Sequence, residues 1–140
     1  MKNILILDDQ LNDYIQSIIK ALNYFDYETL YFETPNKAWE EYLRRSGEIS
    51  CIIVDLMIPE GDEKRNIPDD SCEVGYGFFR KLIETKYPGY MIVLTNARSQ
   101  HHKPIFDSIR NEIRNNEKIY LHQKDDISPL SLSKMIMELV

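Results

Sequence analysis

Cysteine is scarce in this chain: two in 140 residues, Cys51 and Cys72. That is too few for a disulfide framework, and Cys51 lies inside an apolar run, where it reads as a small core hydrophobe. No apolar run approaches the ~20 residues of a membrane span. The opening Met1-Lys2-Asn3 lacks the basic flank and apolar stretch of a signal peptide. Basic residues are outnumbered, with a net charge of −6. That balance argues against nucleic acid or an anionic membrane as the main partner. These absences together suggest a cytoplasmic protein. Glycine is also sparse, at five residues. Gly75-Tyr76-Gly77 follows no strand and lacks a third glycine, so it is no dinucleotide loop, and no Walker-type lysine loop exists. There is no internal repeat and no low-complexity tract.

What is present is an alternation. Ile4-Leu5-Ile6-Leu7 runs into Asp8-Asp9, and Cys51-Ile52-Ile53-Val54 runs into Asp55. Short apolar runs that end in turn-forming residues read as buried strands. Met91-Ile92-Val93-Leu94 is a third such run, ending at Thr95. Tyr27 to Thr34 alternates in part, with Leu30 and Phe32 on one face, and Ile119-Tyr120-Leu121 is short and ends near Lys124. Between these lie helical patterns. Leu11, Tyr14, Ile15, Ile18, Ile19 and Leu22 repeat at a spacing of three to four. Pro35 opens a second helix behind a Thr34 cap, running to about Arg45 and burying Ala38, Trp39 and Tyr42. Phe78, Phe79, Leu82 and Ile83 mark a third, closed by Pro88-Gly89. Ile105, Phe106, Ile109 and Ile113 mark a fourth. Pro129 opens a last, with Leu132, Met135, Ile136 and Leu139 inward.

The length fits one domain, residues 1–140, able to bury a core without staples. The final helix reaches the last residue, so no output domain is expected. The pattern is (βα)5, an α/β chain. Strict alternation implies a parallel sheet with helices on both faces, a three-layer sandwich. Continuously apolar strands belong in the centre and the two more polar ones at the edges. The flavodoxin-like order 2-1-3-4-5 meets both demands. It sets the first and third strands side by side, so Asp8, Asp9 and Asp55 meet at their carboxyl ends. Three close carboxylates repel unless a cation or proton offsets them, and hard oxygen ligands suit Mg²⁺.

Four features thus stand at four strand ends: Asp8-Asp9, Asp55, Thr95 and Lys124. Each carboxylate alone would also suit a turn or helix cap. As a set, and with the strings ILILDD, IIVDLMIP and MIVLTNA, the chain resembles the receiver domain of two-component response regulators over essentially its whole length. The resemblance implies that Asp55 is a phosphoacceptor, taking a phosphoryl group from a phosphohistidine. It implies that Asp9 and Asp55 ligate Mg²⁺ directly, Asp8 through water, and that the backbone carbonyl of Met57 completes the protein ligands. Lys124 would pair with a phosphoryl oxygen, and Thr95 would hydrogen-bond another, re-shaping the surface of the fourth helix and fifth strand. The implied partners are a sensor histidine kinase or histidine phosphotransfer protein and a downstream protein target. Such a protein is not an enzyme in the ordinary sense. It catalyses its own phosphorylation and a slow dephosphorylation, slow because Met57 and Ala97 offer no polar group to orient water.

The chain departs from that pattern in places. The polar stretch from Pro59 to about Glu73 is longer than the turn receivers carry, and reads as mobile. Asp125 stands after Lys124 where receivers usually have proline. The usual aromatic switch position holds Leu121, with Tyr120 one residue earlier, and Asn96 follows Thr95. His101-His102 reads as a solvated helix start. Two other functions compete. One is a receiver-like interaction module that is never phosphorylated. The other is a haloacid-dehalogenase-type phosphatase, which needs an aspartate two residues after the nucleophile. Those places hold Gln10 and Met57.

Overall fold

The computed structural model describes residues 2–56, 74–96 and 102–140. Met57, the polar stretch with Cys72, Ala97 and His101 lie outside them. In chain order the elements are β1 (Asn3–Leu7), α1 (Asp13–Tyr24), β2 (Glu28–Phe32), α2 (Pro35–Arg45), β3 (Ile49–Asp55), α3 (Val74–Glu84), β4 (Tyr90–Thr95), α4 (Lys103–Asn115), β5 (Ile119–Gln123) and α5 (Pro129–Leu139). Short 3-10 turns, Ser46–Glu48 and Lys124–Asp126, lead into β3 and away from β5. The five strands are all parallel in the order β2-β1-β3-β4-β5, the flavodoxin-like arrangement. No helix among the described residues is long and apolar enough to cross a membrane.

Apolar content decides each strand's position. β1 is buried along its whole length, and β3 and β4 nearly so, whereas β2 is half-buried throughout. β5 is half-buried after Ile119. The side chains divide by the two-residue period of a strand. Leu5, Leu7, Ile52, Val54 and Val93 pack with Ala38, Phe79 and Phe106 from α2, α3 and α4. Ile4, Ile6, Ile53, Ile92 and Leu94 pack with Ile15, Ile18, Leu132 and Ile136 from α1 and α5. Cys51 is fully buried in this second layer, and burial pushes its thiol up to about 12, so it behaves as a hydrophobe.

Some boundaries differ from the sequence reading. β3 starts at Ile49 rather than Cys51, and a register shift lets Asn3 face Ile49 while Ile4 faces Cys51. Leu11 is exposed and precedes α1, whose N-cap is Asn12, its side chain accepting from the Ile15 N–H. Thr34 does cap α2 in position, with Pro35 following, but makes no capping hydrogen bond. α3 ends before Pro88-Gly89. Lys86 takes a left-handed φ of 58°, while Tyr87 N–H donates to the Leu82 carbonyl and Lys86 N–H to that of Ile83. Asp26 (φ 67°) ends α1 in the same way, with Tyr27 N–H donating to the Leu22 carbonyl. This is the Schellman ending, usually built on glycine, in a chain that has little glycine. Trp39 is only partly buried. It stacks on Tyr42 at 5.0 Å and lies under the Lys81 ammonium.

Candidate functional site at the carboxyl rim of the sheet

Strand register brings the site together. Leu7 pairs with Val54, so Asp8 leaves β1 at the level where Asp55 ends β3. Asp55 faces Leu94, so Thr95 lies one residue beyond it on β4, opposite Gln123. Lys124 follows directly. Asp8, Asp9 and Asp55 each offer a carboxylate oxygen, and all three oxygens lie within 4.8 Å of one another.

Asp8 is held on every side. Its N–H donates to the Phe32 carbonyl (3.1 Å), extending the β1–β2 ladder. Its Oδ1 accepts from the Gln10 N–H (2.9 Å), and its Oδ2 accepts from the Lys124 ammonium (2.9 Å). Its own carbonyl accepts from the Tyr31 hydroxyl (2.8 Å). The Asp8 side chain is 2% exposed and Lys124's is 7%. The same ammonium lies 3.7 Å from Asp55 Oδ1, and the Asp55 side chain is 12% exposed. Thr95 is buried.

Asp9 is the exposed member of the cluster. Burial of part of its carboxylate pushes its pKa above the usual value, and the negative charge of Asp8 adds to that. A carboxyl group whose folded pKa is raised weakens the fold once ionised. Stability then returns as pH falls through the folded pKa. Asp9→Asn should therefore melt no lower than the wild type, and slightly higher, at neutral pH in metal-free buffer. The gap should close as pH falls into the carboxylate range. A lower melting temperature for Asp9→Asn would mean that the carboxylate has a structural bond.

The donor set fits Mg²⁺. Three hard carboxylate oxygens within 4.8 Å of one another are the kind of donors this ion takes. Asp9 and Asp55 present the more accessible oxygens. Asp8 already spends both of its oxygens on Gln10 and Lys124.

Three residues that the sequence reading left without a role support this rim. Tyr31 holds the Asp8 backbone from β2. Tyr14, on α1, donates its hydroxyl to the Ile127 carbonyl (2.7 Å) and carries its ring 6.0 Å from the Lys124 ammonium. Gly75 opens α3 against the end of β3. Its N–H donates to the Leu56 carbonyl (3.2 Å), and a Cβ there would lie 2.1 Å from the Asp55 carbonyl oxygen. Only glycine allows that approach. Apolar periodicity does mark Tyr14, but the hydroxyl's partner is 113 residues away and leaves no local trace.

On β5, Leu121 packs in the layer of α4, whereas Tyr120 packs in the layer of α1 and α5. The position facing α4 is thus aliphatic. His122 is half-buried and lines a groove with Phe106, Arg110 and Leu121, and His102 stands at the start of α4. No cis peptide bond occurs among the described residues.

No family model and no curated relative matches the sequence. Solved structures do share the fold. A response regulator receiver domain protein from Clostridium thermocellum matches with a TM-score of 0.66 at 17% identity, over 99% of this chain and 94% of that one. The chemotaxis protein CheY4 of Vibrio cholerae matches at 0.66 and 18%, over 100% and 99%. The BeF3-activated receiver domain of DrrB, a Thermotoga maritima protein, matches at 0.62 and 19%, over 99% and 97%. The chain has the fold of these receiver domains, with little of their sequence.

Proposed function

We propose that this chain is a phosphoacceptor receiver. In this reading Asp55 takes a phosphoryl group from a phosphohistidine of a sensor histidine kinase or histidine phosphotransfer protein. The observation that carries it is the meeting of Asp8, Asp9, Asp55 and Lys124 at one rim of a receiver fold. Asp55 Oδ bonds to phosphorus as the P–N bond breaks, and the imidazole leaves with the electron pair. Such transfers ask mainly for positioning and charge stabilisation. Asp9 and Asp55 would hold Mg²⁺, with Asp8 and the Met57 carbonyl contributing. The ion, when bound, would offset the carboxylates and draw charge from the phosphoryl oxygens. Lys124 then exchanges Asp8 for a phosphoryl oxygen. The Thr95 hydroxyl donates to another.

The consequence for partners follows from chain continuity. Thr95 ends β4 and Lys124 directly follows β5, so movement of either bears on α4 and β5. Beside them a groove of about 310 Å³ is lined by Phe106, Arg110, Ile113, Leu121 and His122. That surface would meet the downstream protein target. With Leu121 facing α4, the change would be carried without a rotating aromatic ring. The reading implies a cytoplasmic protein that is no turnover enzyme.

The test uses beryllofluoride, a phosphoryl mimic. With Mg²⁺ present, BeF3⁻ should bind saturably and shift the amide resonances of Asp55, Thr95 and Lys124. Without Mg²⁺ it should not. An absence of binding under both conditions would sink the receiver reading.

A further inference from the structure

The Lys124 side chain is buried at a place where a lysine has reason to leave. Its stem is long and flexible, its ammonium is strongly hydrated, and holding it costs rotamer freedom. Its backbone lies in the short turn Lys124–Asp126, which then gives way to Ile127 and to Ser128, the N-cap of α5. Tyr14 reaches this turn from α1, in the layer where Ile127 also packs. Its hydroxyl donates to the Ile127 carbonyl at 2.7 Å, and its ring stands 6.0 Å from the ammonium. Burial pushes the phenol up to about 12, so the hydroxyl keeps its proton and remains a donor throughout the physiological range.

We propose that Tyr14 is a positioning residue for Lys124, tying the turn after β5 to α1 with its hydroxyl and walling the ammonium onto the carboxylate rim with its ring. Two phenols then bracket one ion pair. Tyr31 fixes the backbone of Asp8 from β2, and Tyr14 fixes the backbone behind Lys124 from α1. The pair is set in place before any phosphoryl group arrives, and the ammonium has only the step from Asp8 toward Asp55 left to make. This rests on the receiver reading for its chemistry, although not for its geometry.

Tyr14→Phe keeps the ring and loses the hydroxyl, while Tyr14→Leu loses both. The first readout is the pair of Lys124 ε-methylene protons, assigned against Lys124→Met. They resonate separately when the stem is held and merge when it is free. They should stay separate in the wild type and Tyr14→Phe and merge in Tyr14→Leu. The second readout is the initial rate of labelling by a small acyl phosphate. It should fall about threefold in Tyr14→Phe and about tenfold in Tyr14→Leu, in keeping with the cost of misplacing a group at a reacting centre. The third is Mg²⁺ affinity, which should hold or rise in Tyr14→Leu because a cation has left the rim. A merely structural role would lower it together with the rate. Unmerged Lys124 resonances, an unchanged rate, or a parallel loss of rate and Mg²⁺ affinity in Tyr14→Leu would each overturn the proposal. If the wild type takes no label, the receiver reading falls and the Lys124 resonances alone decide the role of Tyr14.

Discussion

Asp55→Asn should gain no phosphoryl mass under conditions in which the wild type gains one. The substitution keeps shape and size but replaces a carboxylate with an amide, which is a poor nucleophile toward phosphorus. Three carboxylates share the rim, so the choice among them needs a physical reason. Asp8 has both oxygens engaged, one by the Gln10 N–H and one by Lys124, and its side chain is almost sealed. Asp9 is exposed, lies beyond the end of its strand, and sits beside the like charge of Asp8. Asp55 terminates the central strand β3, retains some access, and has an ammonium 3.7 Å from its Oδ1. It alone combines a fixed position, an approach path and a cation beside the new charge. Intact mass after incubation with an acyl phosphate and Mg²⁺ reads the result. Equal labelling of the two proteins, or label located on Asp9, would contradict the assignment.

The parts of this site legible in the sequence are those that follow directly from a strand. Asp8, Asp9, Asp55 and Thr95 come at the ends of apolar runs and Lys124 close after one, and strand polarity carries them to one edge of the sheet. The order of strands was legible for a similar reason. Burial of β1 throughout and of β3 and β4 nearly so, against the half-burial of β2 and of β5 after Ile119, repeats the apolar content of those segments. What was not legible depends on contacts between distant elements. Tyr14 belongs to the apolar stripe of α1 by spacing, and only the fold gives its hydroxyl a carbonyl 113 residues away in the chain. Gly75 shows in the sequence only as part of a Gly-Tyr-Gly string that makes no dinucleotide loop, yet its value is the space it leaves beside the Asp55 carbonyl. The end of α3 was misjudged because Pro88-Gly89 is the stronger local signal. The chain instead reverses at Lys86, where capping bonds from two backbone N–H groups outweigh the cost of a left-handed lysine. Trp39 was expected in the core, but its ring lies partly open under Lys81, as an amphipathic indole can.

Lys124→Met should be the most destabilising single change at the rim, costing about 3–5 kcal/mol at neutral pH. The ammonium and Asp8 form a 2.9 Å ion pair with side chains 7% and 2% exposed, so water cannot replace the lost partner. Methionine fills a similar volume, which limits the cavity contribution and leaves the uncompensated charge as the main cost. The stranded carboxylate also faces Asp9 and Asp55, whose repulsion the ammonium had offset. Two further measurements separate this cause from lost packing. Adding Asp8→Asn to Lys124→Met should restore most of the stability, because the amide oxygen still accepts from the Gln10 N–H and needs no counter-charge. Mg²⁺ should stabilise Lys124→Met more than the wild type, since a cation that binds the folded rim replaces the missing charge there. Urea unfolding of the three proteins, with and without Mg²⁺, reads all of these. A loss below about 1 kcal/mol, the range of exposed ion pairs, would mean that the Asp8–Lys124 contact is solvated and that the rim is open to water.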